Sequence, residues 1–263
     1  MVLFLFLTHL GLGIIFTLVV VSREAGVKFF RFNAGLAAVL LAIALACRPA
    51  ADVSQLGRLA LGALVVAEAA TVLYWLTVGR VLRSIRPFLV WSACLSGLVV
   101  LVTQAAATTS GWALDVRMLT VASFVSSAAL LGGASTAMIL GHWYLVIPSM
   151  EISHLQAIVK VHIASMLVRA VVVAAAVLLA VWAWQPDLGP SFRHYVTSAG
   201  GIFFWQRVLF GLAGPALLSY LTWETAKIRS TQSATGILYV DFFTVVVGEV
   251  LAKYLLLATR VPV

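Results

Sequence analysis

The chain has 263 residues, of which 63% are hydrophobic and only 10% charged, with a mean hydropathy of +1.09. A soluble domain is about 45–50% apolar and about 25% charged, so this composition argues against a soluble globular protein. The formal net charge of +8 falls mostly between apolar runs, not in an aromatic-interleaved basic domain, and nucleic acid is not an expected partner.

The apolar residues come in long runs, and about 20 such residues span a hydrocarbon core of roughly 30 Å. Backbone polar groups inside lipid must be satisfied within the structure, so spans are helices or closed barrels. The runs are continuous, not alternating, which predicts helices. The expected fold is all-α: a polytopic transmembrane bundle of about eight helices, a single integral membrane domain over residues 1–263.

The first run, Leu3 to Val21, is followed by Arg23, Lys28 and Arg31 with no basic segment before it. A secretory signal has the reverse arrangement, so a retained first helix is expected. The second run, Ala34 to Ala46, extends towards Phe29 and ends at Arg48, Pro49 and Asp52. The third, Leu59 to Val78, precedes Arg80, Arg83 and Arg86; Pro87 opens the fourth, Phe88 to Ala107. The fifth is Met118 to Leu140, followed by a less apolar stretch, Gly141 to Gln156. The sixth, Ala157 to Trp184, is long enough to tilt. A polar connection, Gln185 to Ser198, leads to the seventh, Ile202 to Leu221, and the eighth is Thr235 to Leu257.

Alternate connections carry the positive charge. One side holds Arg23, Lys28, Arg31, Arg80, Arg83, Arg86, Lys160, Lys227 and Arg229; the other holds Arg48, Arg58, Arg117, Arg193 and Arg260. Basic residues concentrate in the cytoplasm, which predicts both termini outside; the expected setting is a bacterial inner membrane. Trp75, Trp112, Trp143, Tyr144, Trp182, Trp184 and Trp223 sit near run ends, as an interfacial aromatic belt does. Cys47 and Cys94 are far apart without CxxC spacing, and are expected as two buried, inert thiols.

Ionisable groups inside a span cost at least about 2.5–3.5 kcal/mol each and need a partner, a cavity or a function. His9, Glu68, Arg207, Glu249 and Lys253 fall towards the outer half; His142, His162, Glu224 and Asp241 fall towards the inner half, beside Glu151 and His154. Arg169 lies near the middle of its run. Glu249 and Lys253 are four apart and are expected to pair on one helix. Glu224 next to Lys227 reads as a solvated charge, and Arg169 with Asp241 and Arg207 with Glu68 are candidate buried pairs. His9, followed by Gly11 and Gly13, is placed to hydrogen-bond a quinone carbonyl, to ligate a haem iron or to pack as a satisfied histidine. His142 and His162 are candidate axial ligands for a b-type haem, or candidate proton shuttles.

With Gly248-Glu249 ahead of Lys253 in the last helix, buried acidic and histidine residues, eight runs and no soluble domain, the chain resembles the DmsC and NrfD/PsrC type of membrane anchor subunit. The resemblance is architectural. It implies a quinone-reactive subunit of a multi-subunit respiratory oxidoreductase, exchanging electrons with the cofactors of partner subunits. Under it, His9, Glu68, His142, His162 and Asp241 are the candidate quinone-binding residues. Two alternatives stand beside it: a cytochrome b-like subunit with haem b on His142 and His162, and a small-solute or ion transporter, for which Gly214-Pro215 supplies a helix break.

Overall fold

The computed structural model describes residues 1–49, 54–80, 84–147, 151–182 and 191–263. Asp52, Arg83, Pro148, Trp184 and the 185–190 part of the polar connection lie outside them. The described residues form helices and turns, with no β-strand among them. The helices are α1 (Val2–Leu18), α2 (Gly26–Ala46), α3 (Gln55–Thr77), α4 (Arg86–Thr108), α5 (Leu114–Val146), α6 (Ile152–Trp182), α7 (Phe192–Thr197), α8 (Ile202–Val208), α9 (Gly214–Lys227) and α10 (Thr231–Thr259). α8 and α9 are joined through a π-helical stretch, Leu209–Ala213, into one rod. Leaving the short α7 aside, eight rods remain, one for each apolar run. Seven are long and apolar enough to cross a membrane; α1, at 17 residues, is a shorter apolar helix.

Local chemistry fixes the ends. Ser54 caps α3 by accepting from Gly57 N–H at 3.0 Å, and Pro87 stands in the first turn of α4, where its missing N–H leaves no gap. Gly79 closes α3 with φ +76°, a backbone shape that L side chains rarely adopt, and a Cβ there would also strike Val27. The π-helical turn precedes Pro215, whose ring would crowd the carbonyl of Gly211 four residues back; the wider turn relieves that clash.

Two boundaries differ from expectation. α2 begins at Gly26, well before Ala34, and the stretch from Gly141 to Gln156 is largely helical: α5 runs on to Val146 and α6 starts at Ile152. A helix satisfies its own backbone and does not stop where its side chains cease to be apolar.

α1 packs against α5, α2, α10 and α4, and 13 of its 17 residues are buried, so it is a central rod. It runs parallel to α5. Thr17 and Thr136 share a hydroxyl contact at 2.6 Å, His9 meets Ser127, and Gly13 crosses Gly132 so closely that a Cβ on either would sit about 2 Å from the other helix's backbone. α10 runs antiparallel to α5, as the contacts Ser127–Glu249 and Gly141–Leu238 require, and parallel to α6. The outer surfaces expose large apolar side chains such as Phe88, Leu167, Val171 and Phe243. Exposed apolar area of this extent needs a covering phase, and a bilayer supplies it.

Candidate functional site

The helical repeat aligns the chemistry on three rods. On α10, Asp241, Gly248, Glu249 and Lys253 share one face; on α6, His162 and Arg169 lie seven residues apart; on α5, Ser123 and Ser127 lie four apart. These faces meet along the centre of the bundle at two levels.

At the upper level, the Glu249 carboxylate gathers three cations. Its Oε1 accepts from Arg169 Nε at 2.9 Å and Arg207 Nη2 at 3.0 Å; its Oε2 accepts from Lys253 Nζ at 2.9 Å and Ser127 Oγ at 2.5 Å. Lys253 also donates to Ser127 Oγ, which contacts His9 Nδ1 at 3.1 Å. Arg169 Nη1 is held by Ser123 Oγ at 2.7 Å, and its Nη2 reaches the main-chain oxygen of Val263 at 3.3 Å. Arg169, Arg207, Glu249 and His9 are fully buried, and Lys253 nearly so. Arg207 retains two nitrogens, Nε and Nη1, without a hydrogen-bond partner. Its guanidinium lies over the crossing of Gly211 with Gly248, where a Cβ on Gly211 would sit 1.9 Å from Nη1. The cluster therefore sets three formal positive side chains against one carboxylate in a medium that resists isolated charge.

The expected Glu249–Lys253 pair is present, within this wider network. The other expected pairings are not. Arg169 binds Glu249 instead of Asp241, and Arg207 binds Glu249 instead of Glu68. Glu68 lies on α3, which packs against α2 and α4, and its Oε2 has no hydrogen-bond partner. It is not brought to His9, which instead meets Phe124 edge-on at 4.6 Å.

At the lower level, His162 Nε2 lies 2.6 Å from Asp241 Oδ2, and both side chains are fully buried. The two are at ion-pair distance without hydrogen-bond alignment, and His162 Nδ1 and Asp241 Oδ1 have no partner either. Gly133 on α5 makes the approach possible: a Cβ there would press on the His162 backbone at 3.2 Å. Eight residues of α10 separate Asp241 from Glu249, about 12 Å along the axis. The two levels thus form one polar column between α5, α6 and α10.

His142 is exposed at the end of α5, its Nδ1 3.1 Å from the Tyr239 hydroxyl. Tyr239 and Asp241 are two residues apart on α10, about 200° around the helix, so the two imidazoles stand on different sides of it. They do not form an axial pair, and the haem arrangement does not fit these residues. Among the described residues no group of three or more His, Cys, Asp or Glu is disposed to hold a metal ion.

The face carrying most of the basic residues is built from lighter contacts. His154 pairs with Glu24 at 2.5 Å, and Lys227 with Glu224 at 2.6 Å, the latter as an exposed pair in line with its expected solvated role. A recess of about 680 Å³ opens there, lined by Tyr144, Glu151, Arg229 and Gln232 among others. The buried side chains Leu155, Ile158 and Leu238 belong to one apolar cluster with Tyr144.

Sequence reasoning missed Ser123 and Ser127. Their signal was available: two serines four apart inside an apolar run, on a helix rich in small residues.

Eight apolar rods closed around a desolvated ionic column, with apolar side chains turned outward, define a polytopic α-helical integral membrane protein. No family model, no curated protein and no solved structure matches the chain.

Proposed function

We propose that this chain is the quinone-reactive membrane subunit of a multi-subunit electron-transfer complex, with His162 and Asp241 as the proton-exchanging pair. The observation that carries this reading is a buried imidazole and carboxylate 2.6 Å apart, each with an unpartnered polar atom. Oxidation of a hydroquinone to a quinone releases two electrons and two protons. The His162 imidazole can accept one proton from a quinol hydroxyl and the Asp241 carboxylate the second, so that both protons released with the two electrons have an acceptor. The electrons leave to a redox centre on a partner subunit, because two isolated cysteines supply no iron–sulfur ligand set. On this reading the basic face is cytoplasmic.

The test is quinol-analogue oxidation by the native complex, purified with its partners, carrying D241N or H162Q. Loss of general acid–base catalysis lowers turnover by about 10²–10⁴-fold. Wild-type turnover and pH profile in both assembled variants would overturn the assignment.

A second reading, a proton-coupled solute transporter, is favoured by one feature. The rod bearing Arg207 is broken by a π-helical turn and Gly214-Pro215. Such breaks sit at transporter binding sites. Solute-dependent proton uptake by proteoliposomes containing this chain alone, without quinol turnover, would select it.

A further inference from the structure

Away from the polar column, the outer surface exposes large apolar side chains. Between the first half of α2 and the end of α3 an open groove of about 490 Å³ is cut into the lipid-facing wall. Its walls are Phe32, Leu36 and Val39 on one side and the Trp75 indole on the other, and Lys28 and Arg31 stand at its basic end. Gly35 makes the groove possible: the Trp75 Nε1 edge lies against its bare backbone, and a Cβ there would sit 2.8 Å from that nitrogen. Gly79 abuts Val27 at the same end, and the exposed Arg80 follows it in the chain.

We infer that this groove is a binding site for one anionic phospholipid, its phosphate at Lys28 and Arg31 and an acyl chain along Phe32, Leu36 and Val39. The charge pattern selects the occupant. A groove with apolar walls alone would accept any lipid tail. This one ends in two cations from adjacent turns of α2, and the described lining holds no acidic side chain to offset them. Basic pockets between transmembrane helices recognise anionic headgroups in this way. Because Phe32 and Val39 are exposed within the protein, an acyl chain covers surface that no helix covers.

The inference is independent of any quinone chemistry and is read out by binding alone. The purified full-length protein in mild detergent is titrated with phosphatidylglycerol and with phosphatidylcholine, and bound lipid is counted by native mass spectrometry. Phosphatidylglycerol is expected to bind about 25-fold more tightly. K28Q and R31Q should each weaken it about fivefold, and the double variant about 25-fold, bringing it to the level of phosphatidylcholine. G35L, which fills the groove, should remove both lipids from the site, while R229Q, a basic residue on the same face but outside the groove, should leave affinity unchanged. If the double variant does not yield folded protein, the two single variants carry the test. Equal affinity for the two lipids in the wild type, unchanged affinity in K28Q and R31Q, or an equal loss in R229Q would each overturn the proposal.

Discussion

A single carboxylate, Glu249, answers Arg169, Arg207 and Lys253 at once, with Ser127 as a further donor. Removing one partner from a buried ion pair costs about 3–5 kcal/mol, because the charge left behind has no solvent to turn to. Here three charges would be left behind. E249Q keeps the shape of the side chain and removes only its charge, so it should lower thermal stability in detergent sharply and reduce the yield of folded protein. E68Q is the matched control. Its Oε2 has no hydrogen-bond partner and no ion pair holds it among the described residues, so stability should stay close to wild type or rise. Equal melting temperatures for E249Q and wild type would show that the network is not what holds α6, α8 and α10 together. The sequence located four of the five ionic and histidine members of this cluster in one half of the membrane, with Arg169 at mid-depth. Partner choice was out of reach, because Arg207 had two carboxylates at similar depth, Glu68 and Glu249. Depth follows from position in a run, but neighbourhood depends on which rods pack together.

The rods themselves were easier to find than their packing. Lipid demands about 20 apolar residues per crossing, and eight such runs gave eight rods. The same demand erases the polar–apolar stripe that marks the buried face of a soluble helix, so nothing in the periodicity of α1 announced that it sits at the centre. Its glycines did carry that information. Gly13 meets Gly132, and Gly211 meets Gly248, at distances that leave no room for a methyl group. G13A and G248A should each therefore cost folded yield and thermal stability, by forcing helices apart. Gly62 and Gly236 have nothing within 4 Å of an added Cβ. G62A and G236A should be neutral or stabilising by up to about 1 kcal/mol, since alanine favours helix. Thermal unfolding of the four variants side by side decides the matter; the same loss in all four would mean that glycine flexibility, not close approach, is what the helices need.

At the level of the whole protein, eight crossings put the start of α1 and the close of α10 on one face, with the larger basic set on the opposite face. Of the two thiols expected to be buried only Cys94, in α4, is; Cys47 follows the last turn of α2 and is exposed, on the outer side if the basic face is cytoplasmic. A membrane-impermeant maleimide added to intact cells should label the protein once, and C47S should abolish the label. Labelling that occurs only after the membrane is opened would invert the orientation.

The ionic network also imposes an order of events on biosynthesis. Arg169 precedes Glu249 by 80 residues and Arg207 precedes it by 42. At about 5–20 residues per second, Arg169 waits roughly 4–16 s in the nascent chain before its counter-charge is made. Two guanidinium groups must stay hydrated or sheltered in the insertion machinery for that interval. The arrival of α10 is then the moment at which the half-built bundle becomes electrically tolerable to lipid, and a chain that stalls before it presents a charged, unfinished seam to the membrane's quality control.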